Sequence, residues 1–241
     1  NFETADPDFL NGSLDIVNSA IAYNADRYTL DSISLRASAD TSRNVLLLRS
    51  GFLRAHMVGK YQLTALAPAI QDIIEVYYNP NNTTKDTVSY EPQQFEFSAT
   101  LNNSRFIREF LPDLEEMRDI TLDGTFNSAT QSVMAKLLAP KIVYGGTTIE
   151  NVGVDITTYD STLYYSTLIH KIKMGNIELN NTVASGSVVD NTIDFGLWIK
   201  DKDDKEQYHL GANLAVAADN FVFRLHEDGL KIAGAPVDIN P

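Results

Sequence analysis

Cysteine is absent from the 241 residues. No disulfide framework, thiolate metal site or thiol nucleophile can be built without it. Its absence suits an oxidising, extracytoplasmic compartment. Long hydrophobic runs are absent too. No stretch approaches the ~20 apolar residues of a membrane-spanning helix, and no secretory leader opens the chain. The chain begins at Asn1 without Met, which reads as a processed form or an excised piece, with any membrane anchor outside it. Basic residues are few: 19 Lys and Arg against 32 Asp and Glu, for a net charge of -13. Nucleic-acid binding needs a basic stripe. No Lys/Arg cluster supplies one, so a nucleic-acid partner is excluded.

Patterns that carry catalysis or bind metals are also missing. His56, His170, His209 and His226 do not form an HExxH motif, since Leu230 stands where the second His would follow His226-Glu227. Asp201-Lys202-Asp203-Asp204 opens like a calcium loop but lacks its Gly and terminal Glu. Gly59-Lys60 is followed by Tyr61, so it is no phosphate loop. There is no G-x-S-x-G elbow. Glu115-Glu116 and Asp203-Asp204 are chain neighbours that point different ways, a poor carboxylate dyad. The expectation is a protein that is not an enzyme and uses no metal or cofactor.

What the sequence does have is alternation. In Asn191 to Ala217, Ile193, Phe195, Leu197 and Ile199 alternate with polar or small residues up to a charged tip at 201–205. Tyr208, Leu210, Ala212, Leu214 and Val216 alternate after it. Such a pattern predicts an antiparallel hairpin with one apolar face. It continues through most of the C-terminal half, from Ile149, Val152, Val154 and Ile156 to Phe221, Phe223 and Leu225. One-sided alternation over so many strands means a wide sheet with a single apolar side. That side can meet a second protein layer, as in a closed β-domain, or something that is not protein.

Along the chain, residues 1–78 read as a β-meander followed by a helix. A parity change at Asp31-Ser32 marks a bulge or bend. Thr64 is placed as the cap of a helix carrying Leu66, Ile70, Ile73, Ile74 and Tyr77. Residues 79–92 form a loop or linker. Residues 93–241 form a strand–helix segment that continues into a long meander of the same sheet. In it Ser104 caps a short helix, and Ser128 with Gln131 reads as a capping box opening a helix to Leu138. Turns are placed at Gly145-Gly146, Thr158 to Asp160, Asn180-Asn181, Asp190-Asn191, Ala218 to Asn220 and Asp228-Gly229.

Tyr28 to Tyr78, with the Gly-centred strand Ala55-His56-Met57-Val58-Gly59-Lys60-Tyr61-Gln62-Leu63, resembles the TamB/AsmA-like envelope proteins in their Bacteroidetes form. Leu138 to Ile156 and Leu179 to Asp201 look like later repeats of that family, while Gly234-Ala235-Pro236-Val237 departs from it. The resemblance implies a mainly-β fold: an elongated, open, curved sheet, a trough (β-taco) of meander strands, with two or three short helices. It implies a periplasmic segment of an inner-membrane-anchored protein that carries phospholipid acyl chains between membranes, related in plan to bridge-like lipid transfer proteins. An outer-membrane barrel protein is the further implied partner, and strand-edge templating of outer-membrane proteins the alternative function.

Acyl chains would cover an apolar face that is otherwise an aggregation hazard. The groove lining expected on this reading is Ile193, Phe195, Leu197, Ile199, Leu210, Leu214, Phe221 and Phe223.

Overall fold

Both central residues take positive φ at Gly145-Gly146, Asp160-Ser161, Asp190-Asn191 and Ala233-Gly234. This is the type I′ turn, whose twist matches that of the strands it joins. In a computed structural model, which describes residues 2–4, 6–23, 26–40, 42–80, 90–217 and 220–237, such hairpins build one antiparallel sheet of fifteen strands. The N-terminal strands are β1 (Gly12–Tyr23), β2 (Asp26–Ala39), β3 (Asn44–Ser50) and β4 (Leu53–Lys60). Helix α1 (Leu66–Tyr77), β5 (Gln94–Leu101), helix α2 (Arg105–Phe110), β6 (Leu114–Met117) and β7 (Ile120–Asn127) follow. The long meander is β8 (Ser132–Tyr144), β9 (Thr147–Tyr159), β10 (Thr162–Met174), β11 (Ile177–Val189), β12 (Thr192–Lys200), β13 (Glu206–Ala217), β14 (Asn220–Ile232) and β15 (Ala235–Pro236). Strand order follows chain order, except that β6 leaves the path to pair with β8. The path is open, ending at β1 and β15. The expected mainly-β, open, curved sheet with few helices is therefore the fold.

Register sorts the side chains. Directly paired residues share a face. Pairing carries Leu14 through Leu35, Leu48, Ala55, Ala99, Leu122, Leu137, Val154, Thr167, Ala184, Leu197 and Leu210 to Leu230. Thr167 is the one polar residue in this row across the sheet. The adjacent row runs from Ser13 through Arg36, Leu47, His56, Ser98, Asp123, Lys136, Asp155, Ser166 and Ser185 to Gly196. Neighbouring rows lie on opposite faces because the strand period is two. One face is thus apolar from edge to edge and the other largely polar.

Two creases cross the sheet. The β1–β2 ladder skips Asn18 and Asp31, and Asn18 has φ 53°. The expected parity change at Asp31 lies in this crease. A second runs through Pro140, Asn151, His170 and Asn181, which the β8–β9, β9–β10 and β10–β11 ladders all skip. Asn151 and Asn181 have φ 52° and 41°. Pro140, with no N–H to donate, occupies a place where pairing is interrupted.

Several expectations are corrected. Ser128 to Gln131 is a turn, and Ser132 to Leu138 belongs to strand β8 rather than a helix. Asn127 Oδ1 accepts from the Ala129 and Thr130 amides, and Ser128 Oγ accepts from Gln93 N. Polar residues that cap helices make Asx and Ser turns equally well, and sheet pairing decides. Thr64 does not cap α1. It lies in a 3₁₀ turn, Leu63–Ala65, with its hydroxyl donating to Asp8 Oδ2 at 2.6 Å. Asn180-Asn181 lies within β11, since Asn's tolerance of left-handed φ serves a crease as well as a reversal; the reversal is at Gly175. Thr158 and Tyr159 still belong to β9, and the turn is Asp160-Ser161. Asp228-Gly229 lies within β14, where the β13–β14 register shifts and a Cβ on Gly229 would meet Gly211 O at 2.4 Å. Ala218 and Asp219, in an expected turn, and residues 81–89 of the expected loop lie outside the described residues. Ser104 caps α2 as expected, its Oγ accepting from Ile107 N at 3.3 Å.

Helix α1 crosses the apolar face at one end of the strands. Ala69, Ile73 and Tyr77, at i, i+4 and i+8, are buried with Tyr61, Phe95 and Phe126. Met57, Leu163 and Val188, from β4, β10 and β11, pack against this cluster. Tyr77 OH donates to Gln131 O at 2.8 Å, and Asn191 N donates to Tyr77 O at 3.2 Å. The sheet leaves room for these aromatics by lacking side chains beneath them. Gly59 pairs with Phe95 at φ 153°, and a Cβ there would lie 2.1 Å from Gln94 O. Gly59→Ala is expected to cost about 1–3 kcal/mol, lowering the thermal midpoint by several degrees. Gly51→Ala, with nothing within 4 Å of the new methyl, should leave the midpoint in place in the same calorimetric series.

Candidate functional site

The site is built from the second apolar row of α1. Beside Ala69, Ile73 and Tyr77 runs Leu66, Ile70 and Ile74, again at i+4 spacing. The first row is packed; Ile73 is 4% exposed. Of the second, Ile70 and Ile74 are 44% and 54% exposed. They overlook a cleft of about 630 Å³ between helix and sheet. Its lining comes from α1 and from Leu35 on β2, Leu46 and Leu48 on β3, Met57 on β4, Phe97 on β5, Phe126 on β7, Val133 on β8, Ile156 on β9 and Leu163 on β10. No charged residue lines it, and its polar members, His56 and Ser98, border it from positions whose side chains register places on the opposite face.

One cleft touching eight consecutive strands requires curvature. At ~4.8 Å per strand, β2 to β10 would span roughly 34 Å if flat. The cleft-lining stretch of α1, Leu66 to Ile74, rises only about 12 Å. The sheet therefore curls about the helix, and α1 acts as a wedge across the mouth of an apolar trough.

Below α1 the trough floor is shaped by aromatics laid over cross-strand glycines. A Cβ on Gly124 would meet the Phe97 ring at 2.4 Å. Tyr165 reaches over Gly186 to donate to Asp194 O at 2.9 Å. Burial, then the Asp194 charge, pushes the Tyr165 phenol above its ordinary range, as expected beside a poorly solvated floor. Tyr61, in the cluster that anchors α1, is pushed up by burial from 10.0 to about 12.

Charge is unevenly distributed. At the α1 end lie Asp8, Asp40, Asp72, Glu75, Glu91, Glu96, Asp160 and Asp190, set against Arg43 and Lys60. Hydrogen bonds, first from the Ser42 amide, hold the Asp40 carboxyl below its usual range. At the α2 end, bases and acids balance. Lys141 meets Glu116 at 2.6 Å, Lys171 meets Glu178 at 2.9 Å, Lys200 meets Asp204 at 3.1 Å, and Lys231 meets Glu206 at 2.5 Å. The hydrogen bond from Lys171 holds Glu178 low, and the Lys205 amide holds Asp201 low. Among the described residues no group of three His, Asp or Glu is placed to hold a metal ion.

The eight residues expected to line the groove fall on one face. Ile193 pairs with Leu214, Leu197 with Leu210, Leu214 with Phe223 and Val216 with Phe221. Phe195 and Ile199 lie on the same face by alternation along β12. This is the face that holds the cleft, yet none of the eight lines the cleft. They continue the face past β11 toward the β15 edge, where Phe221 and Phe223 are exposed. The cleft residues on β2 to β10 were missed. Leu66, Ala69, Ile70, Ile73, Ile74 and Tyr77 have the i, i+3, i+4, i+7 spacing of an ordinary surface helix, so α1 alone did not signal the cleft.

Comparison of the chain with protein-family models, with curated proteins and with solved structures finds no match in any of the three.

The two rows of α1 should respond differently to truncation. Ile73→Ala is expected to cost about 2–4 kcal/mol, and Ile74→Ala under about 1 kcal/mol, as read by urea unfolding. Tyr61 gives a pH signature. Below pH 10.0 it is neutral in both folded and unfolded chains; between 10.0 and about 12 only the unfolded chain gains by ionising it. Stability should fall across that window, and Tyr61→Phe should flatten the fall in urea midpoints measured through it.

Proposed function

We propose that this chain is a lipid-carrying trough segment, holding phospholipid acyl chains on its apolar face and serving transfer between membranes in a cell envelope of the periplasmic type. The observation that carries the reading is the continuity of the apolar row from Leu14 to Leu230, together with the open cleft in which Ile70 and Ile74 remain half-exposed. A soluble protein does not normally leave so long an apolar face without a partner. Acyl chains suit it because they need no hydrogen bonds, and each buried CH₂ contributes about 0.8 kcal/mol. The cleft falls within the roughly 300–1,000 Å³ of single-ligand sites. The polar opposite face and the net charge of -13 favour solubility.

Membership of the TamB/AsmA-like group belongs to this proposal and rests on the sequence resemblance. So do an inner-membrane anchor outside the 241 residues and an outer-membrane barrel partner. Among the described residues no helix is long and apolar enough to cross a membrane. The open sheet path speaks against the closed β-domain without ligand.

A second reading has its own observation. Strand β1 is twelve residues long and, as the end of the sheet path, pairs along one side with β2. Such an edge can template an added strand, as the protein-assembly alternative requires.

The test is organic extraction of the purified protein followed by mass spectrometry. Stoichiometric phospholipid is expected, and is expected to be lost in an Ile70→Glu/Ile74→Glu variant that keeps its thermal midpoint. Lipid-free protein that also takes up no fluorescent phospholipid from vesicles would reject the trough reading and favour the edge.

A further inference from the structure

We propose that Asn191 is the clasp of the trough: it holds the β11–β12 hairpin against the C-terminal end of α1, and acyl chains exchange with the cleft when that hold is released. What exchanges rests on the acyl-carrier reading. The sheet path is open at β1 and β15, so no ladder of hydrogen bonds closes the curl. What closes it is α1. On the near side the helix is joined to the sheet by its own chain, from β4 through the Leu63–Ala65 turn, and by Tyr61, Phe95 and Phe126. On the far side the link is small. Leu163 and Val188 pack against the helix cluster, and Asn191 makes the polar contacts. Its N donates to Tyr77 O at 3.2 Å, its Oδ1 accepts from Asn79 N at 2.5 Å, and its O accepts from Val216 N at 3.2 Å.

These bonds suit asparagine. Asn191 is the second central residue of a type I′ turn, at φ 60°, where Gly, Asn and Asp are tolerated. Gly has no acceptor to offer Asn79, and Asp would bring a charge to the negative end of the helix dipole. Tyr77 O is among the last carbonyls of α1, which lack partners within the helix. Asn191, 112 residues beyond Asn79, caps that end from another part of the fold. The hold is also opposed. Asp190 precedes Asn191 in the turn, and α1 carries no basic residue in its last turn to offset it. Acids near a helix C-terminus are unfavourable. Two hydrogen bonds and two aliphatic side chains are few beside the ladders that join the strands, and proteins open first where contacts are few. The seam lies where the cleft, lined as far as β10, gives way to the apolar face of β12 to β14. Releasing it joins the two and gives a chain a route along that face into the cleft.

The test uses the whole chain, whose lack of cysteine leaves no background for spin labels on Val76→Cys and Phe221→Cys, both exposed positions. Val76 is on α1, and Phe221 pairs with Val216, which Asn191 holds. Pulsed electron resonance gives the label distance. Transfer of phosphatidylcholine with a fluorescent acyl chain from the protein to acceptor vesicles gives the release rate. Asn191→Gly keeps the turn and removes the Asn79 contact. It is expected to lengthen and broaden the distance and to speed release about tenfold, the scale of one lost hydrogen bond, with little change in thermal midpoint. Ser161→Gly, at the same position of the β9–β10 turn with φ 58°, is expected to change neither. Asp190→Asn, which removes the opposing charge, is expected to slow release. An unchanged distance in Asn191→Gly overturns the proposal. So does a longer distance with unchanged release, and the lipid bound in that case leaves the carrier reading standing. A longer distance in protein that takes up no lipid in any variant rejects the carrier reading and keeps the clasp.

Discussion

Register is the constraint on which the rest of this structure depends. In a sheet whose side chains alternate with period two, a one-residue slip in any ladder would exchange the Leu14–Leu230 row with its polar neighbour from that strand onward. The apolar face exists because the ladders from β1 to β14 agree about which residue stands opposite which. The I′ turns help to hold that agreement, since a two-residue loop leaves a hairpin one favoured register. The creases are where the agreement is relaxed. At Pro140, Asn151, His170 and Asn181 neighbouring ladders skip together, so β8 to β11 stay in step, and the register shifts only beyond them, between Asn180 and Val183 where β11 meets β12.

A sheet that is apolar on one side has to be covered, and α1 covers it only in part. Its Ala69–Ile73–Tyr77 row is spent on the sheet, joined by Phe95 and Phe126. Its Leu66–Ile70–Ile74 row faces a space that the protein does not fill. Close packing is the rule in protein interiors, so a cleft of about 630 Å³ without a charged lining residue is a departure from the rule rather than a gap in the core. Glycine makes the arrangement possible. Where aromatic rings lie flat on the sheet, Gly59, Gly124 and Gly186 remove the methyl that would collide with them or with the backbone beside them.

The same economy extends to charge. The lining of the cleft holds no ion pair, which would be costly in a poorly solvated space. Acids collect around α1, and the paired bases and acids collect at the far end. The molecule is therefore asymmetric along its strands, acidic at the α1 end and charge-balanced at the other.

Much of this was legible in the sequence because its causes are local. The alternation in β9 to β14, the turns at Gly145-Gly146 and Asp190-Asn191, the Ser104 cap and the helix through Tyr77 are each determined by a few neighbouring residues. Misreadings fell where one local signal serves two ends. Ser128 and Gln131 suit a helix start or a hairpin turn, and Asn181 suits a reversal or a crease. Only partners distant in the chain decide between these. Thr64 meets Asp8 rather than α1, and Gln93 takes Ser128. The cleft was the least legible feature, since it depends on curvature. That the chain would form a broad sheet with one apolar side is determined by period-two patterning within each strand. Where that side closes into a cleft was decided by the tertiary structure alone, because curling eight strands around α1 depends on contacts between residues as far apart as Tyr77 and Asn191.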